Sequence, residues 1–393
     1  MNDLLEKSSA GRVTMRLAIF ENIMTPGGHE VDFDRILVEE FQKLGHEVCF
    51  YVPEGFRFSF DYNVPVHELD GRVVSYSGVS GIRRLIRTAK RELHRMSWYR
   101  QLYEAACARA VDAIIVPTST YRYLRAIVRS DLRKSPVPVI FILHGINPGE
   151  APKFFKAAGK LETYPNVRPV VLTFGDSIFG ERRNNIRTIY PPTYTARDIQ
   201  LPAGRKIADD VLTIGFFGQY RREKRLEDFL EVFVQGNYSR KVMLKVQGAT
   251  MHPEDAEDFE RIIRKYKDHT NMTFLHKGLI GAEWQKALAD IDVLLLPYSA
   301  ARYRYHWGGM LFTAIGFQKP VIASDDMNPE VFEQFHIGEL FKSGDLNALQ
   351  ATLEDFINHY DEKASDYADE LAKASREFAP EAFAGRVEKI IQE

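Results

Sequence analysis

The stretch YRYHWGGMLFTAIGFQKPVIAS (303–324) places two glycines ahead of an apolar helical segment. Gly308 and Gly309 put backbone N–H groups at the start of MLFTAIGF, where free amides and the helix dipole attract an anion without a metal. A purely structural helix start uses the same residues. No acid lies between Tyr303 and Ser324. A second cluster, GFFGQYRREKRLEDF, ends a strand at Gly218 and crowds Arg221, Arg222 and Lys224 into the turn before the next helix. Cations there can neutralise a departing pyrophosphate. The competing reading is a solvated loop whose charges pair with Glu223, Glu227 and Asp228.

Three further patterns carry chemistry. In FENIMTPGGHEVDF, Gly27 and Gly28 allow the backbone close approach to an anion or a sugar. Glu30 and Asp32 suit that helix start but repel phosphate, which favours an acceptor hydroxyl or sugar; a plain tight turn is the alternative. In FILHGINPGE, His144 follows a strand and is placed to hydrogen-bond a sugar hydroxyl or to transfer a proton, unless it is structural. Asp290-Ile291-Asp292 has the spacing of a metal-holding DxD, but Asp292 leads directly into VLLLP, which makes a strand-start role the better reading.

The elements that must position these residues are short apolar runs alternating with helical patterns. The runs are MRLAIF (15–20), HEVCFYV (46–52), DAIIVP (112–117), PVIFIL (138–143), RPVVLTF (168–174), IRTIY (186–190), VLTIGFF (211–217), KVMLKVQ (241–247), MTFLH (272–276), DVLLLP (292–297) and PVIAS (320–324). Continuous apolar runs fit parallel strands covered on both faces, and the alternation implies βαβ units in doubly wound sheets. The cycle pauses once, in PPTYTARDIQLPAGRKIADD. The expected organisation is a flexible leader (1–14), an N-terminal Rossmann-like acceptor domain (15–191), a linker (192–209) and a C-terminal Rossmann-like donor domain (210–379). A C-terminal helix (380–393) packs back on the first domain. Ligands of such folds bind at the carboxyl ends of the strands, here across a cleft between two facing halves.

The 393 residues carry a net charge of −2, which argues against a general nucleic-acid binder. No apolar run reaches the length of a membrane span, and the N-terminus lacks a signal-peptide core, so the expected location is cytoplasmic. Cys49 and Cys107 read as two buried, reduced thiols. The segment GIRRLIRTAKRELHRMSWYRQLY (81–103) sets an apolar stripe of Ile82, Leu85, Ile86, Ala89 and Leu93 against a basic one of Arg83, Arg84, Arg87, Lys90 and Arg91, followed by Trp98 and Tyr99. It suits peripheral contact with an anionic membrane or a lipid-linked phosphate; an ordinary amphipathic helix with a solvated face is the alternative.

In their order and spacing, PGGHE, His144-Gly145, IYPP, GFFGQYRREK, ADIDVLLLPYS, QKPVIASDDMNPEVF and IGELFKSGDLNALQATLEDF resemble the retaining, sugar-nucleotide-dependent glycosyltransferases of GT-B fold. The resemblance spans nearly the whole chain and is strongest from 211 to 350. It implies an α/β chain of two Rossmann-like domains that transfers a sugar from a nucleotide donor to a hydroxyl acceptor, a saccharide or lipid-linked saccharide, in polysaccharide or glycoconjugate biosynthesis. It implies no cofactor and no required metal. Lys224 falls on the phosphate-contacting lysine, and Gln219 stands where an arginine usually precedes it, so Arg221 or Arg222 substitutes. Gly308 and Gly309, flanked by Trp307 and Met310, face the donor diphosphate, and His144 lies near the transferred sugar. Gly27, Gly28 and Gly218 complete the donor-side set, with His144 and Lys224 as the catalytic pair. The family's Glu-x7-Glu pair falls on Tyr305 and Thr313. A hydroxyl in place of a carboxylate weakens ribose binding by about 1–3 kcal/mol if nothing compensates. The alternative is a catalytically silent GT-B protein that binds nucleotide sugar or regulates a partner. A GT-B epimerase or hydrolase lacks its acid–base carboxylates here.

Overall fold

The computed structural model describes residues 13–23, 29–73, 81–174, 177–179, 184–196 and 211–393, with the side chains of 29–30 and 81–85 outside the description. Gly27, Gly28, most of the expected leader and residues 197–209 of the expected linker therefore lie outside the described residues. The chain divides into two compact units, one of Met1–Val171, Glu181–Ile189 and Ala384–Glu393, the other of Leu172–Gly180 and Tyr190–Phe383.

The first unit runs β1 (Arg16–Phe20), α1 (His29–Lys43), β2 (Glu47–Glu54), β3 (Val66–Arg72), α2 (Gly81–Cys107), β4 (Ala113–Ser119), α3 (Tyr121–Ile127), β5 (Val139–Leu143), α4 (Ala151–Gly159), β6 (Val167–Leu172) and β7 (Arg187–Ile189). Its sheet has the order β3-β2-β1-β4-β5-β6-β7. β1 pairs in parallel with β2 on one side and β4 on the other, so strand order reverses there and opens a crevice at the carboxyl ends. VIFIL of β5 is buried throughout, as a strand covered on both faces must be.

The second unit runs β8 (Val211–Phe216), α5 (Leu226–Gln235), β9 (Lys241–Gly248), α6 (Pro253–Tyr266), β10 (Met272–His276), α7 (Gly281–Ala289), β11 (Val293–Leu296), α8 (Gly309–Gly316), β12 (Val321–Ser324), α9 (Pro329–Gln334), β13 (Gly338–Phe341), α10 (Leu346–Asn358) and α11 (Tyr360–Glu377). The order is β10-β9-β8-β11-β12-β13, and β8 is flanked in parallel by β9 and β11. The reversal at β8 brings the loops after β8 and β11 together. Those loops hold both phosphate-type motifs. Gly316 ends α8 where an added Cβ would lie 2.0 Å from the Tyr194 carbonyl oxygen, so only glycine permits this close packing.

Three sequence expectations change. β3 and β13 were not among the expected strands: VHELDGR buries only Leu69, and GELF is four residues long. Cys49 is half-buried, its thiol pushed up to about 11 by desolvation, but Cys107 is exposed rather than buried. In α2, Ile86 and Leu93 are exposed, whereas Trp98, Tyr99 and Leu102 face the core. Arg95 is buried with them, paired to Glu92 at 2.8 Å and lying over the Tyr123 ring at 4.4 Å. The core-facing stripe is thus set by the large aromatics, and Ile86 and Leu93 fall on the opposite side.

The last helix, α12 (Pro380–Gln392), delivers Ala384–Glu393 to the first unit. There the buried Arg168 guanidinium donates to the carbonyls of Ile390 and, at 3.0 Å, Ile391. Buried His46 meets Glu388 at 3.2 Å. These bonds satisfy two helix-end carbonyls that no further turn can reach.

Candidate active site

Lys224 ends a short 3-10 turn, Arg222–Lys224, that follows β8. Its side chain turns inward and is only 7% exposed. The ammonium lies 4.4 Å from the centroid of the Tyr298 ring and 5.8 Å from that of Phe216, a cation–π setting. Among the described residues it makes no hydrogen bond or ion pair. Burial, reinforced by repulsion from Arg221 and Arg302 and opposed by Glu223, lowers its pKa to about 7. A desolvated, unpaired cation of this kind is what an anionic ligand would complete.

Gly218 supplies the space. Its φ of +103° is a glycine conformation, and a Cβ there would sit 3.4 Å from the Met310 sulfur and 3.8 Å from Lys224 Nζ. The end of β8, the start of α8 and the lysine therefore converge on one point. The Gly218 N–H donates to Gln247 Oε1 at 2.9 Å, which fixes the turn.

Beside this point Arg302 forms an ion pair with Glu223, lies over the Tyr303 ring at 4.7 Å and donates to the Tyr303 hydroxyl at 3.0 Å. That hydroxyl in turn donates to Glu223 at 3.0 Å, and the Ser299 N–H holds the Glu223 carbonyl at 2.9 Å. Arg221 contacts Gln219 Oε1 at 3.2 Å and Glu223 at 3.9 Å. Arg221 and Arg302 thus flank one carboxylate, Glu223, and with Lys224 nearby the group carries a local positive excess. Arg222 is not part of this group. Its side chain is 63% exposed and leans on α6, 3.7 Å from Asp258, and donates to the Glu254 carbonyl.

At the start of α8, the Gly309 N–H is taken by the Trp307 carbonyl at 2.9 Å. The Gly308 and Met310 N–H groups have no acceptor among the described residues. Of the pair read from the sequence, the Gly309 N–H is thus engaged by Trp307, and Gly308, though without an acceptor, is itself buried. Asn328, buried, donates to the carbonyls of Arg304 and His306 at 3.3 and 3.2 Å and shapes the approach to this turn.

The remaining expected residues sit as follows. Thr313 is buried and its hydroxyl donates to the Gly309 carbonyl at 2.8 Å, so its proton is committed to the helix and only acceptor capacity remains. Tyr305 is half-buried with its hydroxyl 3.2 Å from Ser177 Oγ. Trp307 is buried and stacked on Tyr194, ring centroids 5.1 Å apart, in a packing position. Asp292 is buried and its Oδ2 accepts the Thr213 N–H at 2.8 Å, the strand-start anchor expected of it. In the first unit, His144 Nε2 donates to the Pro117 carbonyl at 3.0 Å, and the ring stands edge-on to Phe33 at 4.7 Å. Since a carbonyl only accepts, the proton sits on Nε2.

Arg302 was missed by the sequence reading. In YSAARYRYHW it is one of two arginines among aromatics, and only the fold of the 3-10 turn Ala301–Arg304 against Glu223 singles it out.

Two α/β units, each built on a sheet of parallel strands, give the chain a GT-B fold. Solved structures share this fold. The Anabaena Alr3699/HepE protein in complex with UDP and glucose matches at 14% identity and TM-score 0.67, covering 96% of this chain and 99% of that one. The catalytic domain of Arabidopsis thaliana starch synthase IV, bound to ADP and acarbose, matches at 13% identity and TM-score 0.66, covering 97% and 99%. The lipopolysaccharide outer core galactosyltransferase WaaB matches at 15% and 0.60, covering 96% and 99%. No curated protein sequence matches the chain. Residues 200–378, which hold every element of the Lys224 site, match the family described as glycosyl transferases group 1. The chain has the GT-B fold of these structures, and the match to that family lies within its second unit.

Proposed function

We propose that the chain transfers a hexose-type sugar from a nucleoside diphosphate donor to a hydroxyl of a saccharide or lipid-linked saccharide, with retention of configuration, in polysaccharide or glycoconjugate assembly. The observation that carries this reading is Lys224, buried without a counter-ion among the described residues beside Gly218 and Met310. A diphosphate placed there would accept from the Met310 amide and be neutralised by Lys224, Arg221 and Arg302. As the glycosidic bond to the sugar breaks, charge grows on the leaving phosphate, and prearranged donors stabilise it most in the transition state. Side-chain cations supply that stabilisation in this reading, so no metal is required. His144 is assigned to a hydroxyl of the transferred sugar. The exposed Ile86 and Leu93 beside exposed Lys90 support peripheral membrane contact, on the cytoplasmic face, through α2.

The test is a panel of nucleotide sugars, read as thermal stabilisation and as nucleotide release with and without saccharide acceptors. Stabilisation by one nucleotide with acceptor-dependent release supports transfer. Thr313 favours one second reading: its hydroxyl is committed to Gly309 and no carboxylate stands in its place, which suits a protein that holds a nucleotide sugar without turning it over. Stabilisation with no release under any acceptor selects that reading. No stabilisation by any donor rejects both.

A further inference from the structure

We propose that an aromatic hollow on the first unit, beside the outer edge of its sheet, binds a neutral pyranose saccharide at a place separate from the transfer site. The hollow is made by the connection between β2 and β3, GFRFSFDYNVP (55–65). Parallel neighbours are usually joined by a helix. Here an irregular, bent segment takes that role, with Phe56, Phe58, Phe60 and Tyr62 at every second position of the sequence. Phe56 and Tyr62 are buried, and Phe50 of β2 stands 4.6 Å from Phe58 and 5.1 Å from Tyr62. These rings replace the apolar face of the missing helix.

Phe60 does not serve that purpose, being 41% exposed. It is nevertheless held in place. The Arg35 guanidinium lies 5.8 Å from its centroid, and Tyr62 packs against it at 5.0 Å with the rings at 68°. With Phe50, Phe58, Tyr62, Ser59 and Asp61 it lines a cavity of about 290 Å³. That volume is at the lower end of the roughly 300–1,000 Å³ of small-ligand sites, room for one or two sugar rings.

The polar groups decide the ligand class. Ser59 has no hydrogen-bond partner among the described residues. Asp61 uses Oδ1 for the Asn63 N–H at 2.9 Å, leaving Oδ2 to accept. A pyranose offers axial C–H groups to the negative face of an aromatic ring and equatorial hydroxyls at its edge. Phe60 and Phe58 match the first, and Ser59 and Asp61 the second. An acyl chain would leave Ser59 and Asp61 without a hydrogen-bonding group, which a saccharide hydroxyl supplies. Phe50 pairs with Val66 at the first residue of β3, so the hollow lies along the middle of β2, away from the strand carboxyl ends where His144 follows β5. The proposal does not depend on the transfer reading.

The test is saturation-transfer NMR on the full chain with four neutral probes: maltoheptaose, cellohexaose, α-1,2-mannobiose and β-1,4-galactobiose. Saturation should reach the ring protons of at least one probe from protein aromatic resonances. It should fall at least fivefold in Phe60→Ala, be retained in Phe60→Trp, and persist with saturating UDP. Phe60 is exposed enough that Phe60→Ala should keep the thermal midpoint of the parent, and Asp61→Asn provides a second, milder lesion. No saturation of any probe, equal saturation in Phe60→Ala, or Phe60-dependent binding of dodecanoate in place of the sugars overturns the proposal.

Discussion

Replacing Lys224 by methionine, which is one heavy atom shorter and removes the charge, should stabilise the empty protein. A lysine that titrates at about 7 instead of 10.5 holds its proton about 5 kcal/mol less tightly than in water. That difference is the upper bound on what its burial costs the fold when the ammonium is charged. The sign follows from linkage. Between the folded and unfolded values, the unfolded chain carries the proton and the folded chain does not, so stability rises with pH across that window. Below about 7 both states hold the proton and the cost is complete. The advantage of Lys224→Met should therefore be as large as about 5 kcal/mol at pH 6 and shrink to about 2 kcal/mol at pH 9. Urea unfolding of parent and variant at the two pH values measures it, with the second unit followed separately because two-unit chains need not unfold in one step. The same variant should lose stabilisation at both by whichever nucleoside diphosphate the donor panel selects. A stability gap that stays constant from pH 6 to pH 9, or a variant less stable at pH 6, refutes the view of Lys224 as a buried cation awaiting an anion.

Other consequences are as direct. Arg302→Ala should raise the Kd for the nucleoside diphosphate that the donor panel selects about 10–100-fold, the loss of one charge-assisted contact, whereas Arg222→Ala should change it less than about threefold. Calorimetric titration compares them, and equal effects would place the second cation wrongly. Because a bound diphosphate favours the charged lysine, the Kd for that nucleoside diphosphate should rise with pH above about 7, by up to tenfold per pH unit, and should lose that dependence in Lys224→Met. Gly316→Ala should cost at least about 3 kcal/mol of stability, since its Cβ would meet the Tyr194 carbonyl; a milder loss would mean that α8 can shift away. Sedimentation with anionic vesicles should carry the protein down, and the double change Ile86→Glu, Leu93→Glu should leave it in the supernatant; identical sedimentation would remove α2 from the contact.

The parts that could be read from the sequence were those where one residue type allows one environment. The runs VIFIL and VLLL, apolar at every position and rich in β-branched residues or bounded by proline, fit strands covered on both faces, and they are. VHELDGR escaped because an edge strand needs few apolar residues, and its single buried Leu69 leaves no period to detect. In the site, Lys224 announced itself by following a strand and a glycine. The partition of its neighbours did not. Arg221 and Arg222 are adjacent in sequence, yet one stays near Lys224 and the other pairs with α6, a choice made by the position of Asp258. Gly309 was the natural guess for a free amide, and the turn that spends it on Trp307 is a matter of backbone angles that no side chain encodes. In α2, the two stripes were visible, but which one faced inward depended on Trp98 and Tyr99 further along the helix.

The contribution of Ala384–Glu393 to the first unit also bears on how the protein is made. A ribosome releases β1 through β7 early, but Arg168 and His46 must wait for the carbonyls and carboxylate that arrive with α12. At about 5–20 residues per second, the intervening stretch from Tyr190 to Phe383 takes roughly 10–40 s to synthesise. Through that interval Arg168 Nη1 and His46 Nε2 lack these partners, while Arg168 Nε keeps the Pro165 carbonyl and His46 Nδ1 the Met15 N–H. The half that begins first is the half that finishes last, and its nascent form is the species that chaperones and proteases in the cell would meet.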